Sequence, residues 1–158
     1  MTYAEWEKTI PPEIRSDTVW RVEAYRLALL MADLGWVDVT ALSKDRRTLG
    51  LSDQLYRSIG SISGNIEEGY SRGTGKDRAR FYEYALGSAR ESRGWYHKGR
   101  HVLKETVVLH RIQMLTHVIK LLLTMIPDQR GSQIREELAP YDPLTLPPEL
   151  LNPIPFPE

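Results

Sequence analysis

The chain has 158 residues, no cysteine, and 21 basic side chains against 21 acidic ones. That length suits one domain with a core of its own, the missing cysteines exclude disulfides and thiolate metal sites, and the balanced charge argues against a blanket nucleic-acid binder. The charge is unevenly spread: residues 1–43 hold four basic and seven acidic side chains, residues 44–111 fourteen and eight, and residues 112–158 three and six. A basic middle between acidic ends can face an acidic partner or another copy's ends.

Residues 1–16 read as an N-terminal arm, set off by Pro11-Pro12. Its start, Met1-Thr2-Tyr3-Ala4-Glu5-Trp6-Glu7, is acidic and aromatic, without the basic start and apolar run of a secretory leader, so a cytoplasmic location is expected. No proline falls between 13 and 126, and regular helices belong there. The first is expected over 17–34, capped by Ser16 or Asp17, with Trp20, Ala24, Leu27, Met31 and Leu34 as its stripe. A link, 35–50, follows. The second helix covers roughly 51–70, with Leu55, Ile59, Ile62 and Ile66 stepping 4, 3, 4. The third spans about 76–103, with Thr74 and Asp77 in a capping-box arrangement. The fourth runs about 106–126 on Val108, Ile112, Leu115, Ile119, Leu122 and Ile126, close to the repeat of a bundle seam, and Pro127 is expected to stop it.

A short helix over 127–138 would precede a proline-rich tail, 139–158, whose leucines, Ile154 and Phe156 suit an extended arm packed on its own bundle or a neighbour. No apolar run such as 28–32 or 121–126 is long enough to cross a bilayer, so no membrane partner is expected. Short links favour antiparallel neighbours: the pattern predicts an all-α, antiparallel up-and-down four-helix bundle over 17–126.

Beside the isoleucines of the second helix runs a polar strip, Gln54, Ser58, Ser61, Asn65 and Glu68, stepping 4, 3, 4, 3. Its small uncharged middle suits close approach of another helix, within the bundle or between protomers, and Ala85, Ser88, Ser92 and Gly99 of the third helix offer a matching strip.

The stretch from Leu51 to Arg72 resembles the signature of the four-helix bundle proteins related to 23S rRNA intervening-sequence proteins. Gln54-Leu55, Arg57-Ser58, Ser61-Ile62 and Asn65-Ile66-Glu67-Glu68-Gly69 carry the resemblance, joined by Phe81, Ala85 and Gly87-Ser88-Ala89-Arg90-Glu91. Glu67 stands where the common form has Ala. The resemblance covers about residues 17–126. It implies a homo-oligomeric ring, commonly a pentamer. The best understood relatives are accessory variability determinants of diversity-generating retroelements, ring-shaped bundles that bind nucleic acid and a partner reverse transcriptase.

Between Arg72 and Lys104, nine basic residues face three acidic ones. On a continuous helix Arg90, Arg93, His97, Arg100 and Lys104 would form one stripe, with Arg72, Lys76 and Arg80 at its N-terminal end. Such a stripe can track the phosphates of RNA or DNA, and Trp95 and Tyr96 could stack on bases. The same charges would equally serve as a solvated face paired with a neighbour's acidic segments. His97 and His101 lack a third ligand, Gly73-Thr74-Gly75-Lys76 lacks the spacing of a phosphate loop, and Glu67 and Glu68 diverge by about 100° on a helix. No catalytic constellation, metal or cofactor is therefore expected. The reading is a non-enzymatic adaptor binding nucleic acid; a protein–protein scaffold is the alternative.

Overall fold

The structure is a computed structural model, and it describes residues 1–130 and 146–157. Most of the short helix expected over 127–138, and the beginning of the tail, lie outside the described residues. Six α-helices are present among the rest: α1 Tyr3–Thr9, α2 Pro12–Arg15, α3 Glu23–Leu42, α4 Leu49–Tyr70, α5 Gly75–Lys98 and α6 Glu105–Arg130.

The four long helices form the bundle. Each packs on two neighbours, α3 on α4, α4 on α5, α5 on α6 and α6 back on α3. Side-chain pairs fix the antiparallel register. Gly35 meets Ile59, and Tyr25 meets Glu67, so α3 and α4 run oppositely. Ser58 meets Ser92, and Ser61 meets Ser88, so α4 and α5 do too. The isoleucine stripe of α4 is fully buried and shares one core cluster with Leu27, Leu30, Met31 and Leu34 of α3 and Leu115, Val118 and Leu122 of α6. Each such side chain contributes about 1.5–3 kcal/mol when fully withdrawn from water.

Several helix limits differ from those the sequence suggests. Asp17 caps a 3-10 turn, Thr18–Arg21, and α3 begins only after it. Gly35 does not end that helix; a Cβ there would lie 2.8 Å from Ile59 Cδ1, so its glycine permits close approach of α4. The link to α4 therefore shrinks to a short turn built on the Asp45 cap, and the region 35–42 is helix. Pro127 lies inside α6, buried, with the helix running on to Arg130. α6 has the length and apolar content of a bilayer span, but its apolar side is largely the bundle's core.

The arm is more structured than its prolines suggest. Thr2 caps α1 with a reciprocal capping box closed by Glu5, which satisfies two of the free N–H groups at the helix start. Trp6 is 2 % exposed, stacks with Trp20 at 6.4 Å, and donates its indole N–H to Asp33 at 2.7 Å.

Residues 146–157 pack back onto the start of α6 and onto the N-terminal arm, with Leu150 and Ile154 buried. Backbone bonds join the two chain ends: Tyr3 N–H donates to the Leu151 carbonyl, and Ile154 N–H to that of Met1, both at 3.1 Å. Beneath lies a charged cluster foreign to the apolar pattern. Asp38 and Arg111 are both fully buried. Arg111 Nε donates to Asp38 Oδ2 at 2.7 Å, and its terminal nitrogens reach Asp38 Oδ1, the Pro155 carbonyl and His110 Nδ1. Tyr96 donates its hydroxyl to Asp38 Oδ2 at 2.7 Å, and burial raises its pKa well above the usual phenol value.

His110 completes the cluster. Nδ1 accepts from the guanidinium, so Nε2 must carry the proton that reaches the Leu150 carbonyl at 2.6 Å. Burial lowers its pKa, consistent with a neutral ring. His117 Nε2 stands 3.5 Å from Glu23 Oε1, and burial lowers its pKa against that carboxylate's pull.

Candidate nucleic-acid interface on the outer face of α5

Thr74 supplies the cap of α5, accepting from Asp77 N–H at 3.2 Å. The inner side of the helix carries small residues: Ala79, Ala85, Ala89 and Ser92 are buried. That lets α4 come close enough for Ser92 Oγ to donate to Ser58 Oγ at 2.8 Å and Ser88 Oγ to Ser61 Oγ at 3.1 Å. Asn65 donates to the Ser61 hydroxyl and carbonyl. The middle of the polar strip, Ser58, Ser61 and Asn65, is therefore packing between α4 and α5. Its ends, Gln54 and Glu68, are exposed. Gly69 belongs to the same seam, since a Cβ there would press on the Tyr82 ring at 2.8 Å.

Close packing inside leaves the charged side chains outside. At about 100° per residue, Lys76, Arg80, Gly87, Gly94 and Lys98 fall in one narrow band along α5. Arg90 and His97 flank it on one side, Tyr84, Glu91 and Trp95 on the other. Lys76, Arg80, Arg90, His97 and Lys98 are all exposed, and nothing stands within 4 Å of where a Cβ would sit on Gly87 or Gly94. Of the acidic residues here, Glu83 is paired with Arg130 at 2.8 Å, and Glu91 accepts from the Trp95 indole.

The expected stripe is not one continuous helix face. α5 ends at Lys98, and Gly99–His101 form a 3-10 turn. Gly99 is buried against Leu42, the feature that fixes the break. Arg100 and Lys104 are exposed but stand on the connection to α6; Arg100 donates to the His97 carbonyl at 2.8 Å. Arg93 is half-buried, turned toward α6 and bonded to Thr116 Oγ1 at 3.2 Å, which takes it out of the open face. Tyr96, expected to stack on bases, is instead wholly buried on Asp38, because the α5 face carrying it is the core side.

At the N-terminal end, Arg72 pairs with Glu68 and lies over the Phe81 ring at 4.7 Å. Arg80 approaches the same ring at 5.6 Å. Tyr84, 50 % exposed, packs edge-on against Phe81 with centroids 5.6 Å apart. Farther along, the Lys98 ammonium sits 4.0 Å from the Trp95 ring centre. Sequence reasoning missed Phe81 and Tyr84 as part of this face; the signal was present, since Tyr84 falls four residues after Arg80. No group of three or more histidines, aspartates or glutamates suited to a metal ion occurs among the described residues.

No curated protein and no solved structure matches the chain. The family model for the 23S rRNA-intervening sequence protein matches residues 21–124, a span that takes in α3, α4 and α5 and most of α6. This is not a known enzyme family. By that match the chain belongs to the 23S rRNA-intervening sequence protein family.

Proposed function

We propose that the protein is a non-enzymatic, homo-oligomeric adaptor, a pentameric ring by family resemblance, that binds nucleic acid along the outer face of α5. The observation that carries this reading is the set of exposed basic side chains on and beside that face: Lys76, Arg80, Arg90 and His97 on the helix, Arg72 just ahead of it, and Arg100 and Lys104 on the connection that follows. Those charges lie outside the seams that build the bundle. Phosphate contacts by such groups release counterions and make affinity fall steeply with salt. Assembly is supported by large apolar side chains left in water: Trp36, Tyr56, Leu49 and Leu109 are each 45–63 % exposed. A reverse transcriptase is the partner class that the resemblance brings.

A mobility-shift titration at low and moderate salt, with light scattering on the same sample, tests the reading. Binding that weakens with salt and is lost on combining Arg80→Glu with Arg100→Glu is expected, from a particle of several copies. No binding at low salt, or binding indifferent to that pair, overturns it. The second reading, a protein–protein scaffold, is favoured by one observation. Trp36 of α3 and Tyr56 of α4 form an exposed aromatic pair, centroids 5.8 Å apart, away from the basic face. Assembly without nucleic-acid binding would select it.

A further inference from the structure

We propose that the outer face of α5 takes single-stranded rather than duplex nucleic acid, through a base-stacking platform of Tyr84 with the guanidinium groups of Arg72 and Arg80. The proposal rests on the nucleic-acid reading above and narrows its substrate. Aromatic and guanidinium planes add affinity only where base faces are open, and a duplex hides its base faces in the stack. A duplex binder built on phosphates alone needs no such planes.

The arrangement supplies those planes. Phe81 is half-buried and has both guanidinium groups near its ring, at 4.7 and 5.6 Å, and Arg72 is held in addition by its ion pair with Glu68. Tyr84 packs on Phe81 with the two ring planes near perpendicular, at 86°, and keeps half its surface in water. The ring is thus pinned at one side and open at another, which keeps the entropy cost of stacking small. Gly87 then leaves the band clear beyond Tyr84, with nothing within 4 Å of its Cβ position. Arg90, one turn farther and on the opposite flank, lies where a phosphate chain would pass while its bases lean to the aromatic side. Lys98 over Trp95 repeats the pairing of cation and ring farther down the helix.

Fluorescence anisotropy on the full chain, with labelled 12-nucleotide RNA and DNA as single strands and as duplexes, tests this. Single strands are expected to bind at least tenfold tighter than the matching duplex. Tyr84→Ala should weaken single-strand binding roughly five- to hundredfold and leave duplex binding unchanged; Tyr84→Phe should restore it. Comparison of the RNA and DNA strands tells whether the sugar hydroxyl is also read. Equal or tighter duplex binding, or indifference to Tyr84→Ala, overturns the proposal and spares the nucleic-acid reading. Absence of binding to all four probes overturns both.

Discussion

Arg100 and Arg111 belong to the same basic stretch of sequence, and the fold treats them oppositely. Arg100 is exposed and donates to a backbone carbonyl a turn away. Arg111 is sealed in the bundle, where a carboxylate, a ring nitrogen and a carbonyl of the C-terminal segment engage all three nitrogens of its guanidinium. A charge in water stays available to a partner. A charge without water must be satisfied by the protein and becomes part of its architecture. The candidate interface and the cluster under the tail are the two outcomes.

The largest effect that would sharpen this contrast is loss of the buried partner. Asp38→Ala leaves Arg111 unpaired and removes the acceptor of Tyr96, and should cost about 3–5 kcal/mol, whereas Arg100→Ala should change stability by less than about 0.5 kcal/mol. Urea unfolding measures both, and a cost under about 1 kcal/mol for Asp38→Ala would break the comparison. Next comes the segment that covers the cluster. Replacing Leu150 and Ile154 together by Asp should undock it, stranding the Arg111 and His110 donors, at roughly 3–5 kcal/mol. Faster exchange of the Tyr3 amide, which donates to the Leu151 carbonyl, would report the undocking, and unchanged exchange would contradict it.

A smaller effect is expected from pH. His110 and His117 both have pKa values lowered by burial, so the unfolded chain binds their protons more readily than the folded one. Near pH 8 both states are neutral and these groups add no pH dependence. As pH falls through the ordinary histidine range, near 6.5, the unfolded state is protonated first, and stability falls. Thermal melting at pH 7.5 and 5.5 should show the lower value in acid, and His110→Gln should flatten that slope. The smallest effect separates two glycines of α4. Gly60→Ala, in open space, should stabilise by about 0.5–1 kcal/mol, while Gly69→Ala should destabilise, because Tyr82 stands in the way. Thermal melts decide the signs.

Much of this fold is legible in the sequence because its core is periodic. The isoleucines of α4 and the leucines of α6 announce buried faces by spacing alone, and the small polar strip of α4 announces a close neighbour. What stays illegible is long-range. Asp38 looks like any polar residue on a helix, and nothing local reveals a partner 73 positions away. Gly35 and Gly99 carry the same ambiguity: one lies within a helix and the other follows the end of one, and only the neighbour packed against each tells which. On the candidate interface, charge was readable from composition, but its membership was not. Arg93 and Tyr96 leave the open face because α5 turns those positions toward α6 and the core, while Tyr84 stays outside.

The meeting of Asp38 with Arg111 also bears on how the molecule comes together. The bundle's other seams join helices adjacent in the chain, so the α4–α5 and α5–α6 hairpins can zip from their short turns at small entropic cost. Only α3 against α6 must wait for a loop spanning most of the bundle to close, and the buried pair sits on that last seam. A clasp fastened after the barrier governs how slowly the assembled rods come apart and scarcely alters how quickly they gather. The ion pair then acts as a brake on opening, lengthening the lifetime of a bundle whose speed of formation is set elsewhere.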